Sequence, residues 1–558
     1  MADENLTFFG IDLGTTYSVV SYIDETGRPT VVRNVVTNHE TTPSVVYFEE
    51  DSGEVAVGEA AKNVSRLYPA RVVERVKRSM GKEVQWEFDG KSYSAEAISA
   101  LILKQLAQDA QDHTQRDVRQ VVITVPAYFG MLERDATRNA GRIAGLDVIG
   151  IVPEPVAAAL QYEVAAGGGT KTVLVYDLGG GTFDTTVIRI SDDLIEVVCT
   201  DGDQQLGGVD WDARLVQYLV DEFVARAEPA EDPTLDEQFM QDLALTAEDV
   251  KRQLSNVKSR KVPLRFAGAV AQIEVTQDIF EDITRDLLDR TVEYTGRTLR
   301  KLGEKLGIDD PAAAIDEVLL VGGSSKMPAV ARQLAEKWSW TPRLHDPDLA
   351  VAKGAARFAL SRALWDWERA GEAAPTAERQ QERISELALS TGVGEEALAS
   401  MASKRIINVL PKAFGVKLRD TSDPDWRSKP DKLYVQHMVH ADEQLPSGVR
   451  ELSASTVEDG QTAVHIEVYE QAGSTESPEL SANKAVDHGE GTITGLPSLR
   501  RHSPVDITMT IDDEGELTLR AVEPSTGKDL KINVRVSILS EEEVQEAREL
   551  VAGITVRS

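Results

Sequence analysis

Residues 171–187 read Lys171-Thr-Val-Leu-Val-Tyr-Asp-Leu-Gly-Gly-Gly-Thr-Phe-Asp-Thr-Thr-Val187, and the rest of the chain can be interpreted from this segment. Two runs rich in β-branched residues, 172–175 and 185–190, flank three consecutive glycines, which predicts a hairpin whose backbone approaches a ligand closely. Successive glycine N–H groups can converge on an anion, so the turn predicts a phosphate site. Asp177 and Asp184, at the strand ends, are suited to hold a hydrated Mg²⁺ ion above it.

A second copy of this pattern lies near the N-terminus, in Phe8-Phe-Gly-Ile-Asp-Leu-Gly-Thr-Thr-Tyr-Ser-Val-Val20. The alternative is a pair of ordinary glycine hairpins, with Asp12 and Asp177 as simple turn residues. We favour a phosphate function because Asp-Leu-Gly recurs between strands of the same character. The repeat therefore predicts two lobes that face each other across a nucleotide.

Composition excludes several classes of protein. The 558 residues are 41% hydrophobic and 27% charged, as in soluble globular proteins of three or four domains. A net charge of −33 would repel nucleic acid and anionic membranes, so we expect neither as a partner. The one cysteine, Cys199, allows no internal disulfide, and neither a membrane span nor a signal peptide is recognisable. We therefore expect a cytoplasmic protein.

Two charged residues deserve separate interpretation. Within 72–81, apolar residues at helical spacing predict a short helix with Lys77 just off the apolar stripe, where a solvated side chain is the usual outcome. Glu154 lies between two prolines just before an alanine-rich helix. Its carboxylate could be a simple helix cap or a catalytic group beside the phosphate hairpin.

A polar stripe is predicted on a helix that opens with Thr246 as its N-cap. Glu248, Lys251, Arg252 and Ser255 stand at i, i+3, i+4 and i+7 and therefore share one face. That face could be a salt-bridged solvent surface, or it could hold a purine and a ribose.

A further glycine turn follows the predicted strand Glu317–Val321. The turn, residues 322–328, ends at Pro328, and a helix beginning there would present backbone N–H groups to the same nucleotide.

The order of these motifs resembles that of the heat-shock protein 70 chaperones of the bacterial DnaK type, over nearly the whole first 360 residues. The matching segments are Asp12-Leu-Gly-Thr-Thr-Tyr17, Val76-Lys-Arg-Ser-Met-Gly81, Val125-Pro-Ala-Tyr-Phe129, Glu154-Pro155, Asp177-Leu-Gly-Gly-Gly-Thr-Phe-Asp184, Leu206-Gly-Gly208, the polar stripe 248–255 and Val321-Gly-Gly-Ser324. The resemblance implies an α/β, two-lobed, actin-like ATPase domain that hydrolyses ATP to ADP with magnesium and potassium.

The resemblance also implies a role for each matching residue. The catalytic group would comprise Lys77, Glu154, Asp184 and Thr182, and the ions would be held near Asp12, Asp177 and Asp184. The phosphates would be held by Gly14, Thr15, Thr16, Tyr17, Gly180, Gly181, Thr182, Gly207 and Gly208. The adenosine would be held by Glu248, Lys251, Arg252, Ser255, Gly323, Ser324, Lys326 and Asp348. Lys326 replaces the usual arginine, which keeps the charge and loses a planar stacking surface.

The junction after the ATPase domain differs from the resembling family. Residues 362–403 predict two or three short helices with breaks at 371–375 and 391–394, in a junction a few dozen residues longer than usual. The following linker keeps Ile406 and Ile407 but has Asn408 where an aspartate is expected. The inserted helices could be a passive spacer, or they could dock on the ATPase domain and alter its coupling.

Short alternating strands separated by turn signals predict an all-β sandwich from 413 to 538. It resembles the family's peptide-binding domain, with Val464 and Ile466 at the hydrophobic pocket and Val457 near its arch. Arg419 falls where the family has an apolar arch residue, which affects the expected peptide preference. A capped helix after Leu539 begins as the family's helical lid does, and we expect no complete lid.

We therefore predict four segments: an ATPase domain at 1–361, a helical insertion and linker at 362–405, a β-sandwich substrate-binding domain at 406–538, and a short C-terminal helix at 539–558. The predicted function is an ATP-dependent chaperone for unfolded or apolar polypeptide segments, with a nucleotide-exchange factor and with little or no response to ordinary J-domain co-chaperones. The alternative is an actin-like ATPase switch whose β domain recruits one dedicated protein partner.

Overall fold

The computed structural model describes residues 7–50, 52–166, 169–191, 194–364, 376–402, 405–422, 425, 432–473, 475–512, 515–534 and 539–557. Two six-stranded sheets, each containing one of the two glycine hairpins, form the centres of two lobes. We call the lobe with the N-terminal hairpin lobe I and the other lobe II. No helix in these described ranges is long and apolar enough to cross a membrane.

Lobe I is built on the antiparallel pair β1 and β2, in which Asp12 lies opposite Val19. Its strands are β1 (Phe9–Asp12), β2 (Tyr17–Ile23), β3 (Pro29–Val31), β4 (Thr42–Pro43), β5 (Val45–Phe48), β6 (Glu54–Val57), β7 (Val72–Glu74), β8 (Gln85–Phe88), β9 (Lys91–Ser94), β10 (Gln120–Val125) and β11 (Asp147–Pro153). Its helices are α1 (Glu59–Val64), α2 (Ala95–Thr114), α3 (Met131–Ile143) and α4 (Glu154–Ala166). The parallel strands β10 and β11 are almost wholly buried, as expected for strands covered on both faces.

Lobe II repeats this plan around the second hairpin, in which Asp177 lies opposite Asp184. Its strands are β12 (Lys171–Leu178), β13 (Phe183–Ile190), β14 (Leu194–Asp203), β15 (Ser259–Phe266), β16 (Ala269–Thr276), β17 (Glu317–Val321) and β18 (Arg343–Leu344). Its helices are α5 (Gly208–Ala227), α6 (Glu237–Leu254), α7 (Gln277–Ile283), α8 (Arg285–Leu306) and α9 (Pro328–Trp338). The next helix, α10 (Ala350–Leu364), returns to lobe I and packs on α4 and β1.

Two junction helices, α11 (Ala377–Thr391) and α12 (Glu395–Ala402), pack against α10. Their buried Ile384 and Leu398 belong to the same apolar core as Phe358 of α10. The described insertion therefore lies on the ATPase domain and is not a detached spacer. The predicted break at 391–394 is confirmed, whereas the break at 371–375 lies outside the described residues.

The linker continues the sheet of lobe II. Strand β19 (Arg405–Ile407) pairs in parallel with β14, with Ile406 opposite Ile195. Without the linker strand, β14 would be the edge of this sheet. Strand β19 therefore satisfies the backbone N–H and C=O groups of β14 that would otherwise lack a partner strand.

The segment after the linker is a sandwich of two four-stranded antiparallel sheets, ordered β21-β20-β23-β24 and β22-β25-β26-β27. The strands are β20 (Phe414–Arg419), β21 (Leu433–Val439), β22 (Arg450–Ser455), β23 (Val464–Gln471), β24 (Asn483–Ile493), β25 (Pro504–Ile511), β26 (Leu517–Glu523) and β27 (Lys528–Val534). Alternating apolar side chains of both sheets form its core, as the sequence pattern predicts.

The C-terminal segment returns to lobe I. Helix α13 (Glu541–Ala552) has a capping box at Ser540 and packs on α2 and α3, with Val551 buried in the lobe I core. A final strand, β28 (Thr555–Arg557), then pairs in parallel with β6. The sequence indicated the helix but not the strand.

Two local predictions are wrong. Residues 72–81 are not one helix, because strand β7 is followed by Arg75 with φ of 60° and by a four-residue 3-10 helix, Val76–Ser79. Thr246 is not an N-cap, because α6 begins at Glu237 with the Asp236 side chain accepting a hydrogen bond from the Phe239 N–H.

Candidate functional site

The two glycine turns touch each other where the lobes meet. A Cβ atom on Gly180 would lie 2.4 Å from Oγ1 of Thr16, and one on Gly181 would lie 2.4 Å from Cγ2 of Thr15. Only glycine permits this approach, since a real side chain would push the turns apart. Beside the contact lies a cavity of about 670 Å³, a size typical of small-molecule sites.

A buried ion pair, Lys77 with Glu154, lines the cavity. Lys77 Nζ lies 2.5 Å from Oε1 of Glu154, and the two side chains are only 5% and 9% exposed. Burial alone would lower the pKa of Lys77, but the negative charges of Glu154 and Asp12 outweigh it and raise that pKa. Lys77 is therefore a fixed cation, not the solvated side chain that its spacing indicated.

Three aspartates lie near this pair, of which Asp177 and Asp184 are buried and Asp12 is half-buried. Burial, with Glu154 nearby, raises the pKa of Asp12 to about 7 and that of Asp184 to about 8. Burial and the same neighbouring carboxylate also raise the pKa of Asp177 well above its usual range. Four acids around one lysine leave an excess of negative charge, so the site is suited to a divalent cation.

Helix α5 begins directly against the glycine turn of lobe II. The N–H groups of Gly208 and Val209 donate to the carbonyls of Gly179 and Gly180, at 3.0 and 2.8 Å. A Cβ on Gly207 would lie 2.5 Å from the backbone N of Gly181. The turn and the helix start therefore form one hydrogen-bonded unit.

The polar stripe of α6 faces the cavity. Lys251 Nζ donates to the carbonyl of Gly208 at 2.9 Å and lies 2.8 Å from the Asp212 carboxylate. Glu248 receives hydrogen bonds from Tyr17 Oη at 3.1 Å and Lys62 Nζ at 2.7 Å. Burial would raise the pKa of Glu248, but Lys62 lowers it overall, so this carboxylate stays ionised.

The glycine turn after β17 also lines the cavity. Gly323, Ser324 and Lys326 lie on a 3-10 helix, and Lys326 forms an ion pair with Asp348. A Cβ on Gly208 would lie 2.2 Å from Oγ of Ser324, so this turn also packs on the start of α5.

Most of the predicted site residues line the one cavity. They are Asp12, Gly14, Thr15, Thr16, Tyr17, Lys77, Glu154, Asp177, Gly180, Thr182, Glu248, Lys251, Arg252, Ser255, Gly323, Ser324, Lys326 and Asp348. Asp184, Gly181, Gly207 and Gly208 lie behind this surface, and Asp184 Oδ1 accepts a hydrogen bond from the Tyr128 N–H at 3.0 Å.

Sequence reasoning missed several polar residues of the cavity region, among them Asp212, Lys62 and Thr124. Asp212 lies one helical turn after Gly208, and that spacing could have indicated its position. Thr124 Oγ1 donates to Asp12 Oδ1 at 3.1 Å from a neighbouring parallel strand. No local sequence signal marks Lys62 or Thr124, because each reaches the site only through the fold.

The sandwich is docked on both lobes. Asp442 Oδ1 accepts from the Thr200 N–H at 3.1 Å, and its other oxygen lies 3.1 Å from Lys301 Nζ. Met131 and Leu132, at the start of α3, belong to the apolar core of the sandwich.

The predicted peptide-site residues differ in exposure. Ile466 is buried in the sandwich core and Val464 is partly buried against it. Val457 and Arg419 are both half-buried.

Comparison with known proteins agrees with this arrangement. A model of the family described as Hsp70 protein matches residues 8–88 and 82–360. A chaperone protein DnaK of Thermotoga neapolitana is 34% identical over 555 residues, which cover 98% of this chain and 83% of the relative. The DnaK of Thermotoga maritima shows the same values. That of Thermosipho africanus is 33% identical over 537 residues, which cover 95% and 80% of the two chains.

Proposed function

Since this chain belongs to the Hsp70 family, we propose that the cavity between its lobes binds ATP and that Lys77 and Glu154 orient the attacking water. The protein is an ATP-dependent molecular chaperone that hydrolyses ATP. The Lys77–Glu154 pair is the observation that supports these residue roles. Burying two charges costs free energy, so a buried ion pair that lines a cavity indicates a functional site.

Phosphoryl transfer to water suits these residues. It needs positioning and charge neutralisation more than covalent chemistry by the protein. Gly14, Thr15 and Thr16 would hold the phosphates from lobe I, and the turn at 179–182 together with Gly207 and Gly208 would hold them from lobe II. Both turns converge on one cavity, which supports this division of roles.

The acidic side chains of the cavity region are suited to binding a nucleotide together with Mg²⁺. Asp12, Asp177 and Asp184 have raised pKa values, so a cation that keeps them ionised would relieve their mutual repulsion. Mg²⁺ usually keeps several water ligands and is bound through one or two carboxylates plus substrate phosphates, which suits these acids beside the proposed phosphate site. When bound, the ion would neutralise phosphate charge. We include K⁺ as a second cation of this region.

The adenosine would lie between two elements of lobe II. The polar stripe of α6 supplies Glu248, Lys251, Arg252 and Ser255. The opposite wall supplies Gly323, Ser324, Lys326 and Asp348. Lys326 forms an ion pair with Asp348 and has no planar guanidinium. We therefore expect it to contribute a positive charge and not to stack on the adenosine.

We propose that residues 1–361 and 406–538 are the ATPase and peptide-binding domains, joined by 362–405 and followed by 539–558. Unfolded or apolar polypeptide segments would bind at the sandwich near Val457, Val464 and Ile466. Arg419 places a cation near this region, and it would disfavour basic peptides.

For co-chaperones, we propose little or no response to ordinary J-domain proteins. In the family that the sequence resembles, a J-domain docks beside the linker and just before the helix that follows Glu154, where an arginine, an asparagine and a threonine are found. The matching residues here, Gly150, Pro153 and Val156, lack hydrogen-bonding side chains and are all buried. Val156 shares its apolar core with Ile384 and Leu387 of α11. We also propose a nucleotide-exchange factor, and a cytoplasmic location.

The decisive experiment measures ATP turnover with and without a panel of short apolar peptides. We expect basal hydrolysis that requires Mg²⁺ and changes with several unrelated peptides. Hydrolysis that ignores every peptide and responds to a single folded protein would contradict the proposed peptide site. Absence of Mg²⁺-dependent hydrolysis would contradict the proposed roles of the ATP-site residues.

A further inference from the structure

Arg78 immediately follows Lys77 on the 3-10 helix Val76–Ser79 of lobe I, and its guanidinium crosses to lobe II. Nε donates to the carbonyl of Gly181 at 2.9 Å. Nη2 and Nη1 donate to the two carboxylate oxygens of Asp210 at 2.5 and 3.3 Å. The Arg78 side chain is 18% exposed, so these bonds are partly shielded from water.

Both partners of Arg78 belong to the phosphate-binding unit of lobe II. Gly181 lies in the glycine turn. Asp210 is in the first turn of α5 and accepts a hydrogen bond from the Gly207 N–H at 2.8 Å, which caps that helix. Since the turn is already bonded to the start of α5, one guanidinium holds the whole unit.

An exposed arginine–aspartate pair usually contributes little. Arg78 differs because its guanidinium forms a bidentate ion pair with a carboxylate and also donates to a backbone carbonyl. It therefore donates to three acceptor atoms at once. A lysine could keep the charge but could not reproduce this geometry.

We propose that Arg78 is a positioning residue that couples closure of the two lobes to the placement of the phosphate turn relative to Lys77. This inference rests on the proposed ATP site. Lys77 and Arg78 are consecutive, so the bond from Arg78 to Gly181 sets the distance between the Lys77 ammonium and the turn that would hold the γ-phosphate. A misplacement of about 1 Å can reduce a rate about 100-fold.

The test compares Arg78→Ala and Arg78→Lys with wild type in single-turnover hydrolysis and in equilibrium binding of MgATP. We expect Arg78→Ala to lower the hydrolysis rate about 10- to 100-fold and to change the affinity less than about 3-fold. Arg78→Lys should fall between the two. Asp210→Asn should resemble Arg78→Ala, and the double variant Arg78→Ala/Asp210→Asn should be no slower than the single variants.

Arg66→Ala is the matched control, because Arg66 also pairs across the lobes, with Asp242 at 3.2 Å, but is 55% exposed. It should hydrolyse ATP as wild type does. Hydrogen exchange of the MgATP complex supplies a second readout, and Arg78→Ala should accelerate exchange at the amides of 179–182 and 207–210.

Unchanged hydrolysis and exchange in Arg78→Ala would overturn the inference, as would equal losses of rate and affinity. If wild type itself hydrolysed no ATP, the proposed roles of the site residues would fail. The exchange measurement with bound nucleotide would then still decide the role of Arg78.

Discussion

Nζ of Lys77 lies 2.5 Å from Oε1 of Glu154, although the two residues come from different elements, a four-residue 3-10 helix and the first turn of α4. Both side chains are buried, so each supplies a compensating charge for the other. The pair lines the cavity, and the charges of Asp12 and Asp177 act on Lys77, whereas the polar stripe of α6 supplies a different part of the lining. Nucleotide binding and water activation should therefore be separable by mutation.

Lys77→Ala should abolish hydrolysis and leave ATP binding nearly intact. The nucleotide would be held by the glycine turns and by α6, whereas Lys77 would act on the attacking water. Loss of a positioned catalytic group should reduce the single-turnover rate about 100-fold or more. Lys91→Ala, on the exposed hairpin of lobe I, is the control and should match wild type. If Lys77→Ala failed to bind ATP while remaining folded, Lys77 would be a nucleotide ligand.

Bound peptides should dissociate rapidly in every nucleotide state. Helix α13 packs on lobe I, so we expect the sandwich to supply the affinity for peptide, and differences in affinity appear mainly in the dissociation rate. Stopped-flow release of a fluorescent apolar peptide, with ATP and with ADP, measures this directly. Slow release confined to the ADP state would contradict the prediction and would indicate that the junction helices α11 and α12 act as a lid.

A generic J-domain protein should not stimulate hydrolysis. Gly150, Pro153 and Val156 offer no hydrogen-bonding side chains, and Asn408 replaces the linker acid. Each lost polar contact is worth about 0.5–1.5 kcal/mol, so several together should weaken docking about 100-fold or more. Single-turnover hydrolysis with peptide and J-domain measures the response, with a bacterial DnaK as positive control. Strong stimulation at micromolar J-domain would show that docking uses other residues.

Glu523→Gln should destabilise the turn at 523–527 in a pH-dependent way. The Glu523 carboxylate accepts hydrogen bonds from the side chains and backbone N–H groups of Ser525 and Thr526, which lower its pKa to about 2 from 4.5. A depressed carboxyl pKa stabilises the folded state above pH 4.5, and this contribution is lost as the pH falls towards 2. Hydrogen exchange at Ser525 and Thr526 should therefore be faster in the variant at pH 7.

The control is Glu451→Gln, at an exposed position on β22, which should leave exchange at the turn unchanged. The difference between wild type and Glu523→Gln should shrink below pH 4.5. A difference that stayed constant down to pH 3 would show that the side-chain amide disrupts the turn for steric reasons and not through its charge.

The glycine hairpins were predictable because the contact between them demands a particular residue. Gly180 and Gly181 meet the side chains of Thr16 and Thr15 at distances that exclude a Cβ atom, so the requirement is visible in the sequence. The stripe 248–255 was predictable because helical spacing alone brings its members to one face. Both are local signals.

The errors arise where the local signal is ambiguous or missing. Threonine inside a helix looks like a cap, but Thr246 Oγ1 donates to the carbonyl of Asp242 at 2.8 Å and the helix continues past it. The spacing at 72–81 cannot reveal the left-handed Arg75 that separates β7 from the 3-10 helix. Strand β28 has three residues, and pairing with β6 is decided by the fold and not by the sequence around it.

The pairing of β28 with β6 sets an order of events during synthesis. Arg557 bonds to Glu54, a residue 503 positions earlier, so the edge of β6 stays uncovered until almost all of this sequence has been translated. At about 5–20 residues per second, that interval is roughly 25–100 s. An open strand edge invites pairing with other chains. From the synthesis of β6 until residues 555–557 have been made, this chaperone therefore exposes the kind of surface that makes nascent chains aggregate.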